Sequence, residues 1–133
     1  MAYIDGFLIP VQQSRKDEYL AQARAAAPIF LDLGATRVVE TWGDDLKPGK
    51  QTDFYRAVAA EEGETVVFSW IEYPDKAIRD AANERMMDDP RFEALGEMPF
   101  DGKRMIFSGF APIFDSKGDL ACPIPMATSS GTS

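Results

Sequence analysis

Three acids stand inside stretches that read as β-strands: Asp5, Glu40 and Glu72. A carboxylate on a covered sheet face is costly unless it is paired. Each is therefore ion-paired, exposed at an edge, or a general base whose pKa burial has raised. Asp5 is the best placed for the chemical role, because its strand is apolar on both sides and reads as central.

Asp5 also belongs to a signature that occurs twice. Tyr3-Ile4-Asp5-Gly6-Phe7-Leu8-Ile9-Pro10 and Ile106-Phe107-Ser108-Gly109-Phe110-Ala111-Pro112 each place a short polar residue and Gly-Phe inside an apolar run. Glycine in a strand marks a bulge, a bend or a close approach by another group. Trp42 and Trp70, at strand positions, offer aromatic faces to a ligand or to the core. Alternation puts Arg104 in step with Ile106, Ser108 and Phe110. The pocket candidates are thus Asp5, Phe7, Trp42, Trp70, Arg104, Ser108 and Phe110, and none is assigned a catalytic role.

Other chemistry is excluded or weak. The chain has no histidine, which removes the usual general base and the usual zinc and haem ligand. No carboxylate cluster has EF-hand spacing, so neither metal nor cofactor is implied. Lys47-Pro48-Gly49-Lys50-Gln51-Thr52 fails as a phosphate loop: Gly43 is one position too far from Gly49, and Gln51 stands where Ser or Thr must follow the lysine. Lys50, Asp53, Arg56, Lys103 and Arg104 are candidates to gate an anionic ligand, and as isolated surface charges they need no function. Met86, Met87 and Met98 read as core filling.

The elements that position these residues fit one domain of about 115 residues within the 133 of the chain, with a mobile tail expected over 116–133. Strands are predicted over 3–11, 36–43, 65–73 and 104–114. A helix is predicted over 14–33, capped by Ser14, kinked by Pro28 and stopped at Gly34. Another begins at Pro74-Asp75 and ends at Asp88-Asp89-Pro90, with a helical turn around 92–95. Residues 44–64 read as a long connection with a short helix near 53–60. The order β-α-β-β-α-β is α+β and ferredoxin-like, with a four-stranded antiparallel sheet. The two Gly-Phe strands are then sheet neighbours, with Asp5 and Ser108 expected to flank one shared notch. Helices cover one face; Phe7, Trp42 and Trp70 are expected among the apolar residues of the other. Apolar area of that size is seldom left in water.

The net charge of −8 argues against a nucleic-acid backbone or an anionic membrane as partner. The single cysteine, Cys122, excludes an internal disulfide, and no leader or membrane span is read, so a cytoplasmic location is expected.

With these segments placed, the chain resembles the YbaA-like family of uncharacterised bacterial proteins. The resemblance rests on Tyr3–Phe7, Gly34-Ala35 through Glu40, Gly49-Lys50, Thr52-Asp53-Phe54, Glu64–Trp70 and the block Met98-Pro99-Phe100-Asp101-Gly102-Lys103-Arg104-Met105-Ile106 through Phe110. It implies the dimeric α/β-barrel form of the ferredoxin-like fold and no established activity. The leading expectation is a homodimer whose sheets enclose a pocket for a small apolar or amphipathic molecule. A cofactor-free oxygenase or isomerase is the enzymatic alternative, by analogy of fold. A structural or stress-related interaction protein is the third.

Overall fold

The computed structural model describes residues 2–119. Strands β1 (Tyr3–Gln12), β2 (Arg37–Trp42), β3 (Glu64–Tyr73) and β4 (Ile106–Phe110) form one sheet in the order β2-β3-β1-β4. Every neighbouring pair is antiparallel. Helices α1 (Lys16–Asp32), α2 (Phe54–Ala57), α3 (Lys76–Met86), α4 (Pro90–Ala94) and α5 (Ser116–Asp119) complete the order. This is the ferredoxin-like arrangement expected from the sequence, and the Gly-Phe strands β1 and β4 pair as expected.

Local chemistry explains most boundaries. Asp53, Asp75 and Asp89 each accept a backbone N–H at the start of α2, α3 and α4. Pro90 takes the first position of α4, where its missing N–H costs nothing. Gly34 follows α1 at φ +123°, a conformation that favours glycine. Some boundaries differ from expectation; β4, for one, ends at Phe110 and not at 114. Helix α1 starts at Lys16, after a 3-10 turn over Gln13–Arg15, so Ser14 lies in that turn and is not the cap. Strand β4 begins at Ile106 and not at 104, because Arg104 closes a turn onto Asp101 and points its guanidinium at Glu64.

The register sorts side chains by face. Asp5, Phe7 and Ile9 align with Ile71, Ser69 and Val67 of β3, and these with Val38, Glu40 and Trp42 of β2. Packing of Phe7 and Trp42 against buried Tyr19 and Ile9 identifies this as the helix side. Ile4, Gly6 and Leu8 align with Glu72, Trp70 and Phe68, and with Phe110, Ser108 and Ile106, on the open side. Phe7 and Trp42 were expected on the open face. They lie beneath the helices, because the core follows the odd positions of β1. Phe68, Ile106 and Phe110 remain exposed on the open face.

Candidate functional site

The sheet and helices do not close fully on each other. A cavity of about 470 Å³ lies between them. Its floor is Asp5, Phe7, Ile9, Glu40, Ser69, Ile71, Tyr73 and Phe107 from the four strands. Its roof is Tyr19, Gln22, Ala23, Ala26 and Phe30 of α1, with Asn83 and Met86 of α3 and Phe92 of α4. Met98, Phe100 and Met105 form part of the wall. The space exists because α1 turns alanines toward the sheet where larger side chains would fill the gap.

Three contacts hold the roof at its height. Phe30 packs on Phe92, with ring centroids 5.0 Å apart. Tyr19 packs on Phe100 at 5.9 Å. Arg104 forks onto Glu64 at 2.7 and 2.8 Å and reaches Asp101 at 3.1 Å, which anchors the 101–105 segment to the start of β3. This pairing holds the Glu64 carboxyl below its ordinary pKa.

Two polar groups break the apolar lining. At one end Asp5, buried, accepts from Arg79 Nε at 2.9 Å. Arg79 also bonds Asp80 at 2.9 Å and lies 5.0 Å from the Tyr3 ring centroid. The phenol of Tyr73 beside this pair is pushed up to about 12, first by burial and then by the Asp5 charge. At the other end Tyr19 Oη donates to Glu40 Oε1 at 2.6 Å. Ser69 stands opposite Glu40 in the sheet register, and its hydroxyl favours the charged form of both groups. Burial raises the Glu40 pKa above the ordinary carboxylate value, and the hydrogen bonds from Tyr19 and Ser69 only partly oppose this. Glu40 keeps solvent exposure, while Tyr19 and Ser69 beside it are buried. Among the described residues, no basic side chain forms an ion pair with Glu40.

The candidates read from sequence are divided by this geometry. Asp5 and Phe7 line the cavity. Trp42 lies on the same face but packs on Tyr19, at 6.3 Å, and under Lys16 Nζ, at 5.6 Å. Trp70, Ser108 and Phe110 lie on the open face, where Trp70 donates to Glu72 at 2.9 Å. Arg104 belongs to the clamp on Glu64. The cavity itself lies under the helices, whereas the sequence reading looked over the open face. Asp5 and Ser108, expected to flank one notch, point to opposite sides: Gly109 is opposite Asp5, and Gly6 is opposite Ser108. The sequence reading missed Tyr19, Ser69 and Asn83 as cavity residues. The alanine-rich face of α1 opposite two strand acids was the available signal. No group of three or more acidic, Cys or His residues suited to a metal ion occurs among the described residues.

The family model for a protein of unknown function, DUF1428, matches residues 2–102. The chain is 58% identical over 116 residues to the uncharacterized protein YbaA of Escherichia coli strain K12, covering 86% of this chain and 99% of that protein. It is equally similar to YbaA of Shigella flexneri. Among solved structures it is similar to an uncharacterized NIPSNAP domain protein from Burkholderia xenovorans, with a TM-score of 0.51 and 16% identity over 83% of this chain and 93% of that one. That likeness concerns the fold.

Proposed function

Since the chain belongs to the DUF1428 family, whose function is unknown, we propose from its geometry that it binds a small amphipathic molecule in the cavity between sheet and helices. One observation carries this reading: a largely apolar space of about 470 Å³ at one end of which the solvent-exposed carboxylate of Glu40 meets the buried Tyr19 and Ser69. Such a space, with few convergent polar groups, is the usual form of a ligand site. Mass spectrometry of small molecules released from the purified protein tests it directly. Filling the roof with Ala26→Leu should abolish that co-purification while the melting curve stays cooperative. Retention of the same molecule by the filled variant would overturn the reading.

The proposal extends to a cytoplasmic homodimer. Exposed Phe68, Ile106 and Phe110 on the open face support pairing of two sheets through that face. Light scattering on wild type and Phe110→Glu decides it: a wild-type monomer at micromolar concentration removes this part. No helix among the described residues is long and apolar enough to cross a membrane.

A cofactor-free isomerase- or oxygenase-type enzyme is favoured by the raised pKa of Glu40, which suits a proton acceptor. Asp5, fixed by Arg79, suits that role less. Turnover of a co-purified molecule by wild type and its loss in Glu40→Gln would select this form of the reading.

A further inference from the structure

Among the described residues, two acids line the cavity and no cation does, and only one of the two acids has a basic partner. Asp5 is matched by Arg79 at 2.9 Å. Glu40 accepts from the neutral Tyr19 hydroxyl and has no ion pair among the described residues. Tyr19 and Ser69 are both more than nine-tenths buried, at 8% and 4% exposure; Tyr19 donates to this carboxylate, and Ser69 stands opposite Glu40 in the sheet register. Hydroxyls stabilise a carboxylate but leave its charge uncancelled. The cavity on which Glu40 opens is walled by aromatic rings and thioethers, among them Phe7, Phe30, Phe92 and Met86. Ring faces attract cations, and the apolar wall rewards a hydrocarbon body. A free carboxylate ligand would meet Glu40 and Asp5 with no unpaired base to receive it.

On this basis, and resting on the cavity reading above, we infer that the ligand is an apolar amine whose ammonium group pairs with Glu40 while its hydrocarbon part fills the cavity. The ammonium takes the place of the missing cation, with Tyr19 orienting the carboxylate toward it. The other titratable groups lining the cavity are Tyr19 of α1, Asp5 of β1 and Tyr73 of β3; α3 and α4 bring Asn83 and apolar side chains only. Asp5 stays engaged with Arg79. Amine affinity therefore follows the ionisation of Glu40. It rises as pH increases through the raised Glu40 value and levels off until the amine itself loses its proton.

Calorimetric titration of the full chain with n-octylamine, n-octanol and octanoate tests this. Octylamine should bind at least about tenfold more tightly than octanol at neutral pH or above, and octanoate more weakly than either. Glu40→Gln should remove the preference for the amine and spare octanol. Tyr19→Phe, which keeps the ring, should shift the pH at which amine binding sets in upward, because one stabilising hydrogen bond to the carboxylate is lost. A purely structural role for Tyr19 would not move that midpoint. Octanol bound as tightly as octylamine, or an unchanged amine preference in Glu40→Gln, overturns the inference and leaves the cavity reading standing. Failure of all three probes to bind overturns both.

Discussion

Asp5 and Glu40 rise from the same face of the sheet, on the two strands that flank β3. Asp5 is buried against a guanidinium that is itself held by Asp80 and stacked on Tyr3. Glu40 accepts from the Tyr19 hydroxyl and opens on the cavity. The first arrangement satisfies its charge inside the fold and leaves nothing for a ligand to supply. The second leaves a charge that an incoming group can complete. Asp5 is buried whereas Glu40 keeps solvent exposure, and the partner as well as the burial distinguishes a structural acid from a site acid.

The largest effect that separates them is stability. Asp5→Asn breaks a buried pair and leaves the Arg79 charge short of its partner, at a cost of about 3 kcal/mol. Glu40→Gln removes a charge that has no cation and should change stability by less than about 1 kcal/mol in either direction. Urea unfolding of the two variants measures the contrast. Equal destabilisation would erase the distinction between the two ends. Adding Arg79→Met to Asp5→Asn should recover part of the loss, since neither charge is then stranded.

This distinction was only half legible in the sequence. Strand order and the pairing of β1 with β4 follow from alternation, turn residues and the β-α-β-β-α-β order. Asp75 announced its helix, whereas Asp89, read as part of the stop of that helix, also caps the next one. The partner of Asp5 lies 74 positions away on α3, and that of Glu40 lies 21 positions away on α1. Contacts of that range are set by how far helices sit above a sheet, which local pattern does not encode. The same gap misplaced Phe7 and Trp42: both faces of β1 are apolar, so alternation named two faces without saying which one the helices cover.

The second contrast concerns the twin glycines, and its effect is smaller. A Cβ on Gly109 would come within 2.5 Å of Arg79 Nη2 and Tyr3 Oη, the groups that brace Asp5. A Cβ on Gly6 would meet only the Phe110 ring edge, at 3.3 Å on the open face. Gly109→Ala should therefore cost about 2 kcal/mol and loosen the Asp5–Arg79 pair, while Gly6→Ala should cost clearly less. Thermal melts of both variants decide it. The reverse order would mean that the open face, and not the Arg79 brace, is the tighter of the two.

The smallest effect is the pH dependence of stability, where the two kinds of acid act with opposite sign. Asp89 is held down to about 2, chiefly by hydrogen bonds from Arg91, and Glu64 is lowered chiefly by Arg104. Their native carboxylates release protons at pH values where the unfolded chain still holds them. Their stabilisation is present above the ordinary carboxylate range and is lost as pH falls through the depressed values. Glu40 is shifted the other way from its ordinary value of 4.5. Between that value and its raised native one, the folded state holds a proton that the unfolded chain has released. Stability then declines as pH rises through this window, and the penalty persists above it. Glu40→Gln has no proton to exchange, so its stability curve should lack that decline while keeping the acid-side loss caused by Asp89 and Glu64. The measurement is the urea midpoint of wild type and variant from about pH 3 to pH 8. A constant gap between the two curves would show that Glu40 titrates alike in the folded and unfolded chain. Its carboxylate would then already be compensated within the protein, as Asp5 is, and the contrast between the two ends of the cavity would fall.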